Sequence, residues 1–92
     1  MADLLSATDI QNRLGNLSGW SQEGKTIVCV RKFKGFVEAV EFVNRLVEPA
    51  EAANHHPDLE ISYNKVTVRL STHDAGGLTE KDFNLAEQIS NL

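Results

Sequence analysis

Cysteine occurs once in this 92-residue chain, at Cys29. A lone cysteine excludes an internal disulfide and fits a reducing compartment such as the cytoplasm. No basic block is present. Nine Lys and Arg face 13 Asp and Glu, for a net charge of −4, so the composition indicates no nucleic-acid surface. The first ten residues, MADLLSATDI, include Asp3 and Asp9 and hold no long apolar run. They read as neither a signal peptide nor a membrane anchor. Internal repeats and low-complexity tracts are also missing. What remains is the composition of one domain spanning residues 1–92. Its 41% hydrophobic content suffices for a small core, and oligomerisation is an expected source of further stability at this size.

Histidine is scarce too, but its three copies are placed tellingly. His55, His56 and His73 all fall between Glu51 and Asp74, in EAANHHPDLEISYNKVTVRLSTHD. Within that stretch Leu59, Ile61 and Tyr63 alternate with polar residues, as do Val66, Val68 and Leu70. Period-two alternation predicts two half-buried strands. A turn at Asn64-Lys65 would join them, because Asn tolerates positive φ. That register pairs Tyr63 with Val66, Ile61 with Val68 and Leu59 with Leu70, all on the core face. Glu60 then faces Arg69, a favourable cross-strand charge pair. Extended past Pro57, the same register sets His56 opposite His73 and returns His73 to the His55-His56 segment.

Elsewhere the chain gives a clear element order. Ser6 to Asp9 resembles a capping box and starts a short helix using Ile10 and Leu14, ending near Gly15-Asn16. Trp20 to Gln22 and Lys25 to Phe33 read as a hairpin around Glu23-Gly24; the core side of its second strand is not legible. A long helix follows Gly35, with Phe36, Ala39, Val40, Val43, Leu46 and Val47 at helical spacing. Phe42 lies outside that stripe and is either core or a subunit contact. Pro49 either kinks this helix or restarts it. If helix continues, Glu51 and His55 share a face, and Pro57 ends it. Ala75-Gly76-Gly77 reads as a flexible connection that lets backbone approach a ligand. Thr79 to Asp82 caps a last helix carrying Phe83, Ala86 and Ile89. The order α-β-β-α-β-β-α predicts an α+β domain: a four-stranded antiparallel sheet with three helices on one face.

The histidine grouping points to proton transfer. Imidazole titrates near neutral pH and can give or take a proton there. A neighbouring carboxylate such as Glu51 could fix its tautomer. A three-histidine zinc site is the competing chemistry. Adjacent residues on a strand point to opposite faces, however, which removes either His55 or His56 from a shared metal. The bland alternative is that the histidines only cap and fill. Cys29 reads as a buried inert thiol. Asp82 occupies the ordinary position of a capping-box acid.

The pattern is Glu51-x3-His55-His56-Pro57, then Tyr63, His73 and Asp82. With the strings NHHPDLEISYNKV and LSTHDAGGLTEKDFNLA, it closely resembles the pterin-4a-carbinolamine dehydratase family. Animal members of that family double as dimerisation cofactors of a homeodomain transcription factor. The resemblance runs from Trp20 to Ile89. It implies dehydration of 4a-hydroxytetrahydrobiopterin to quinonoid dihydrobiopterin with no metal and no organic cofactor. It implies His55, His56 and His73 as the acid–base groups. It further implies a pterin-contacting set of Glu51, Asn54, His55, His56, Pro57, Ser71, Thr72, His73, Asp74 and Asp82. Asn54 stands where family members often carry Asp, and Leu59 lies where many carry an aromatic. The expected assembly is a homodimer or homotetramer, built partly on the long helix or a sheet edge. A regulatory binding protein without essential catalysis is the alternative reading.

Overall fold

The computed structural model describes residues 3–92. Helix α1 spans Ala7–Leu14, and strands β1 (Trp20–Glu23) and β2 (Thr26–Lys32) form the first hairpin. Helix α2 (Phe36–Ala53) leads to β3 (Asp58–Ser62) and β4 (Lys65–Leu70). A short 3-10 turn at His73–Ala75 precedes α3 (Glu80–Ser90). The expected α-β-β-α-β-β-α order is therefore observed. The sheet is antiparallel throughout, in the order β1-β2-β4-β3.

One apolar cluster joins all three helices to one sheet face. Ile27 and Cys29 of β2 and Val66, Val68 and Leu70 of β4 meet Ile10, Phe42, Leu46, Phe83 and Ile89. The inward side of β2 is thus the one bearing Ile27 and Cys29. Burial of Cys29 pushes its thiol above its usual value, against the opposing pull of the Arg31 guanidinium. The expected burial of this thiol is observed.

Phe42 belongs to the core and not to an interface. Its side chain is 1% exposed. Its ring lies 5.0 Å from that of Phe33, and the Arg31 guanidinium sits 5.0 Å above it. The inward stripe of α2 is Ala39, Phe42, Leu46 and Ala50. Phe36 and Val47, expected inside, are exposed. The expected stripe was therefore rotated about the helix axis, because α2 carries apolar residues on more than one side. Pro49 does not restart the helix: α2 runs through it and is capped by Asn54, in the left-handed conformation at φ 50.

The β3–β4 turn is Tyr63-Asn64, one residue earlier than expected. Ser62 pairs with Lys65, Ile61 with Val66 and Leu59 with Val68. Tyr63, at φ 52, takes the positive dihedral. Asn64 is held elsewhere: its carbonyl accepts from the Phe33 N–H at 2.8 Å, and its side-chain amide donates to the Phe33 carbonyl at 3.0 Å. The two-residue shift in pairing keeps every side chain on its expected face. It makes Glu60–Arg69 a diagonal contact at 3.1 Å, with Asp58 directly opposite Arg69. Only the β4 half of the hairpin is covered. β3 is a sheet edge, and Leu59, Ile61 and Tyr63 are 40%, 40% and 68% exposed.

Candidate active site

The end of α2 decides where the two adjacent histidines go. Asn54 in the left-handed conformation reverses the chain, and the His55 N–H donates to the Ala50 carbonyl at 3.0 Å. This is the usual way a helix satisfies its last carbonyls. It takes His55 off the helical face, so the expected Glu51–His55 pairing does not form. Glu51 instead meets His56, at 2.5 Å between Oε2 and Nε2, and both side chains are exposed.

His55 turns the other way, into the protein. Its Nε2 lies 2.6 Å from Asp82 Oδ1, and the Asp82 side chain is 0% exposed. The β3–β4 register leads to the same place: Asp58 faces Arg69, so three residues back His55 approaches Thr72. His56 therefore does not come opposite His73. Pro57 lies just outside β3, whose ladder begins at Asp58, so no pairing carries the hairpin that far.

Asp82 gathers a small buried network. Its Oδ2 accepts from the Thr72 hydroxyl at 2.9 Å and from the Thr79 N–H at 3.0 Å. The two threonine hydroxyls are 2.8 Å apart. Thr79 caps α3, and Asp82 completes the capping box. One carboxylate thus serves a helix start and a histidine together. Asp82, expected to touch ligand, is fully buried and has three protein partners. Thr72 is buried in the same network. Thr79 was read only as a cap, and nothing in the sequence marked its hydroxyl as a neighbour of Thr72.

The loop between β4 and α3 is ordered by its glycines. Thr72 and Gly77 form a β-bridge. The Thr72 carbonyl accepts from the N–H groups of Ala75, Gly76 and Gly77. Gly76 closes the 3-10 turn at φ 78, a dihedral that favours glycine. A Cβ on Gly77 would lie 3.0 Å from the end of the Leu4 side chain. The expected flexible connection is therefore a tight, packed turn. It presents His73 and Asp74, both exposed, one and two residues beyond Thr72, with Ser71 half-buried before it. Asn54 is exposed and Pro57 half-buried. Pro57 and His56 line a cleft of about 200 Å³ with Val43, Val47, Glu51 and Leu59. Among the described residues no three His, Cys, Asp or Glu side chains are grouped so as to hold a metal ion.

The site is thus a buried histidine–carboxylate pair with further imidazoles at the adjacent surface, set at one end of a sheet backed by helices. The same architecture occurs in a solved structure described as a transcriptional coactivator/pterin dehydratase from Brucella melitensis. It superposes with a TM-score of 0.92 at 32% identity, over 97% of each chain. A second structure, of a pterin dehydratase-like protein described as a RuBisCO assembly factor, has a TM-score of 0.66 at 18% identity and shares the fold alone. Among curated proteins, a relative from Nostoc sp. is 62% identical over all of this chain and 99% of its own length. Another from Cyanothece sp. is 63% identical over all of this chain and 95% of its own. Both are named provisionally as pterin-4-alpha-carbinolamine dehydratases. The family model for pterin 4 alpha carbinolamine dehydratase matches residues 3–92. The chain belongs to that family.

Proposed function

We propose that this protein is a 4a-hydroxytetrahydrobiopterin dehydratase that works by histidine acid–base catalysis. The observation that carries the reading is the buried His55–Asp82 contact at 2.6 Å, beside two exposed histidines in a member of this family. Loss of the 4a-hydroxyl needs a proton on the departing oxygen and removal of a proton from a ring nitrogen. The hydroxyl leaves as water, and the ring is left as the quinonoid dihydropterin. His55 and at least one of His56 and His73 supply these two transfers. Each transfer is worth about 10²–10⁴ in rate. Asp82 holds the charge that His55 gains, and Glu51 does the same for His56. Asn54, Pro57, Ser71 and Asp74 form the rim that meets the pterin. Neither a metal nor an organic cofactor takes part. The enzyme is cytoplasmic and recycles the cofactor of aromatic amino-acid hydroxylases. No helix among the described residues is long and apolar enough to cross a membrane. The test is dehydration of 4a-hydroxytetrahydropterin by the purified protein, against variants with His55, His56 or His73 replaced by Ala.

We further propose a homodimer or homotetramer. Phe36, Val40, Val43 and Val47 form a stripe on α2 whose ends, Phe36 and Val47, are exposed and whose middle is half-buried, at spacings of four, three and four, the seam that helices use to pair. Beside it runs the open edge of β3, with Leu59 and Ile61 uncovered. A second copy of the chain brings the same stripe and edge, which a two-fold axis can match. Light scattering tests this. The second reading, a regulatory binding protein without essential catalysis, is favoured by this uncovered apolar face alone. Absence of turnover from a correctly assembled protein would select it.

A further inference from the structure

The proton directions in the buried network follow from what each group is able to donate. The Thr79 N–H can only donate, and it points at Asp82 Oδ2 at 3.0 Å. The Thr72 hydroxyl has one proton and two oxygen neighbours, Asp82 Oδ2 at 2.9 Å and Thr79 Oγ1 at 2.8 Å. A carboxylate is the stronger acceptor, so the Thr72 proton goes to Asp82. The Thr72 oxygen then accepts the Thr79 proton. Thr79 Oγ1 in turn accepts the Lys81 N–H at 3.2 Å. Both neighbours of Oδ2 are therefore donors, and this oxygen only accepts. Its Oδ1 has one partner, His55 Nε2 at 2.6 Å. A carboxylate that accepts at both oxygens takes the hydrogen of this contact from Nε2.

We infer that Thr72 and Thr79 are positioning residues for catalysis: through Asp82 they fix His55 with hydrogen on Nε2, leaving Nδ1 as the atom that exchanges the substrate proton. Among the described residues no buried side-chain nitrogen or oxygen lacks a partner. Nδ1 of His55 has no partner, so it is where solvent, and a ligand, reaches the ring. A proton leaving the pterin ring nitrogen adds to the Nδ1 lone pair. The resulting imidazolium is paired with Asp82. The departing hydroxyl takes its proton from a second histidine in the imidazolium form and leaves as water; that ring returns to neutral as His55 gains its charge, so protons and charge balance. Thr72 acts without touching the pterin, which sets this reading apart from Thr72 as a ligand contact.

The inference rests on the dehydratase reading for its kinetic test but not for its spectroscopic one. The ¹⁵N spectrum of the uniformly labelled protein, with neutral imidazoles, distinguishes the two ring nitrogens of His55. The expected result is a protonated Nε2 and an unprotonated Nδ1. The reverse assignment would overturn the inference, because Asp82 would then be the donor. In kinetics, Thr72→Val removes one hydrogen bond to a charged group. It should lower kcat about tenfold, the effect of a bond of that kind at the weak end. KM should stay within about twofold, since no ground-state contact is lost. Thr72→Ser, which keeps the hydroxyl, should restore kcat. A raised KM with kcat intact would make Thr72 a substrate contact and defeat the inference. If Thr72→Val does not fold, the spectrum of the unmodified protein still decides. Absence of turnover in the unmodified protein would end the dehydratase reading while leaving the spectroscopic result to stand or fall alone.

Discussion

Replacing Asp82 by Ala should be among the most damaging single changes in this protein. Its carboxylate is fully buried and is the meeting point of three hydrogen bonds, from His55, Thr72 and Thr79. Truncation removes one half of the α3 capping box, a loss of about 0.5–2 kcal/mol. It also leaves a buried imidazole N–H and a threonine hydroxyl without their acceptor, at about 1–3 kcal/mol for each unsatisfied group. These terms share one site and do not simply add. A combined loss of about 3–5 kcal/mol is the expected outcome. A domain of this size has a total stability of about 5–14 kcal/mol, so the variant should retain a weakened fold. Its thermal midpoint should fall by roughly 12–40 °C, at about 4–8 °C per kcal/mol. Urea denaturation of the two proteins side by side measures the difference, provided the slope of the transition is unchanged. A loss below about 1 kcal/mol would show that the network does not hold this corner together, and the reasoning would fail. Asp82→Asn separates the two roles of the carboxylate. It keeps an oxygen for Thr72 and Thr79, so it should melt well above the alanine variant, yet it cannot hold the charge on His55 and should still be slow.

Other consequences follow from the same geometry. His56→Ala removes an exposed pair with Glu51, which contributes about 0–1 kcal/mol; turnover should drop while the melting temperature stays close to that of the unmodified protein, and full turnover would remove His56 from the catalytic set. Phe42→Ala should destabilise by about 3–5 kcal/mol through loss of core packing, whereas Val47→Asp should leave the monomer folded and disrupt assembly, with light scattering and denaturation separating the two. Cys29, whose thiol is pushed up by burial, should alkylate slowly at pH 8 and rapidly once unfolded. Because the folded protein then holds that proton more tightly than the unfolded chain, this thiol is neutral in effect below the unfolded value and lowers stability as pH rises past it; a Cys29→Ala variant should show less alkaline loss. Dialysis against a strong chelator should leave turnover unchanged, and a loss restored by zinc would replace acid–base catalysis with metal chemistry.

Much of this was legible in the sequence, for identifiable reasons. Strand alternation in LEISY and VTVRL gave the second hairpin, and the Thr79–Asp82 spacing gave the start of α3. The positions that misled are those where a tertiary contact overrides a local preference. Asn64 is the better residue for positive φ, but its bonds to Phe33 leave that role to Tyr63. The α2 pattern has two apolar sides, and periodicity alone does not rank them; stacking of Phe42 on Phe33 does. Glu51 and His55 share a helical spacing, but the Asn54 reversal spends the last helical position before His55 is reached. The apolar side of β3 was expected to be buried because alternation identifies a face without saying that anything covers it. In the site, the histidine segment stands out in the sequence and the partner of its buried member does not. The partner of His55 is 27 residues away, at a position with a sufficient local role as a helix cap, and no spacing rule joins the two.

The central claim is that His55, held by Asp82, moves a proton in the dehydration of a 4a-hydroxypterin. The most direct measurement generates 4a-hydroxytetrahydrobiopterin in a stopped-flow cell and follows formation of the quinonoid dihydropterin spectroscopically. The unmodified protein should accelerate that step over the buffer rate, and His55→Ala should lose about two or more orders of magnitude of the acceleration while remaining folded. Equal rates for the unmodified protein and His55→Ala, both above buffer, would contradict the account.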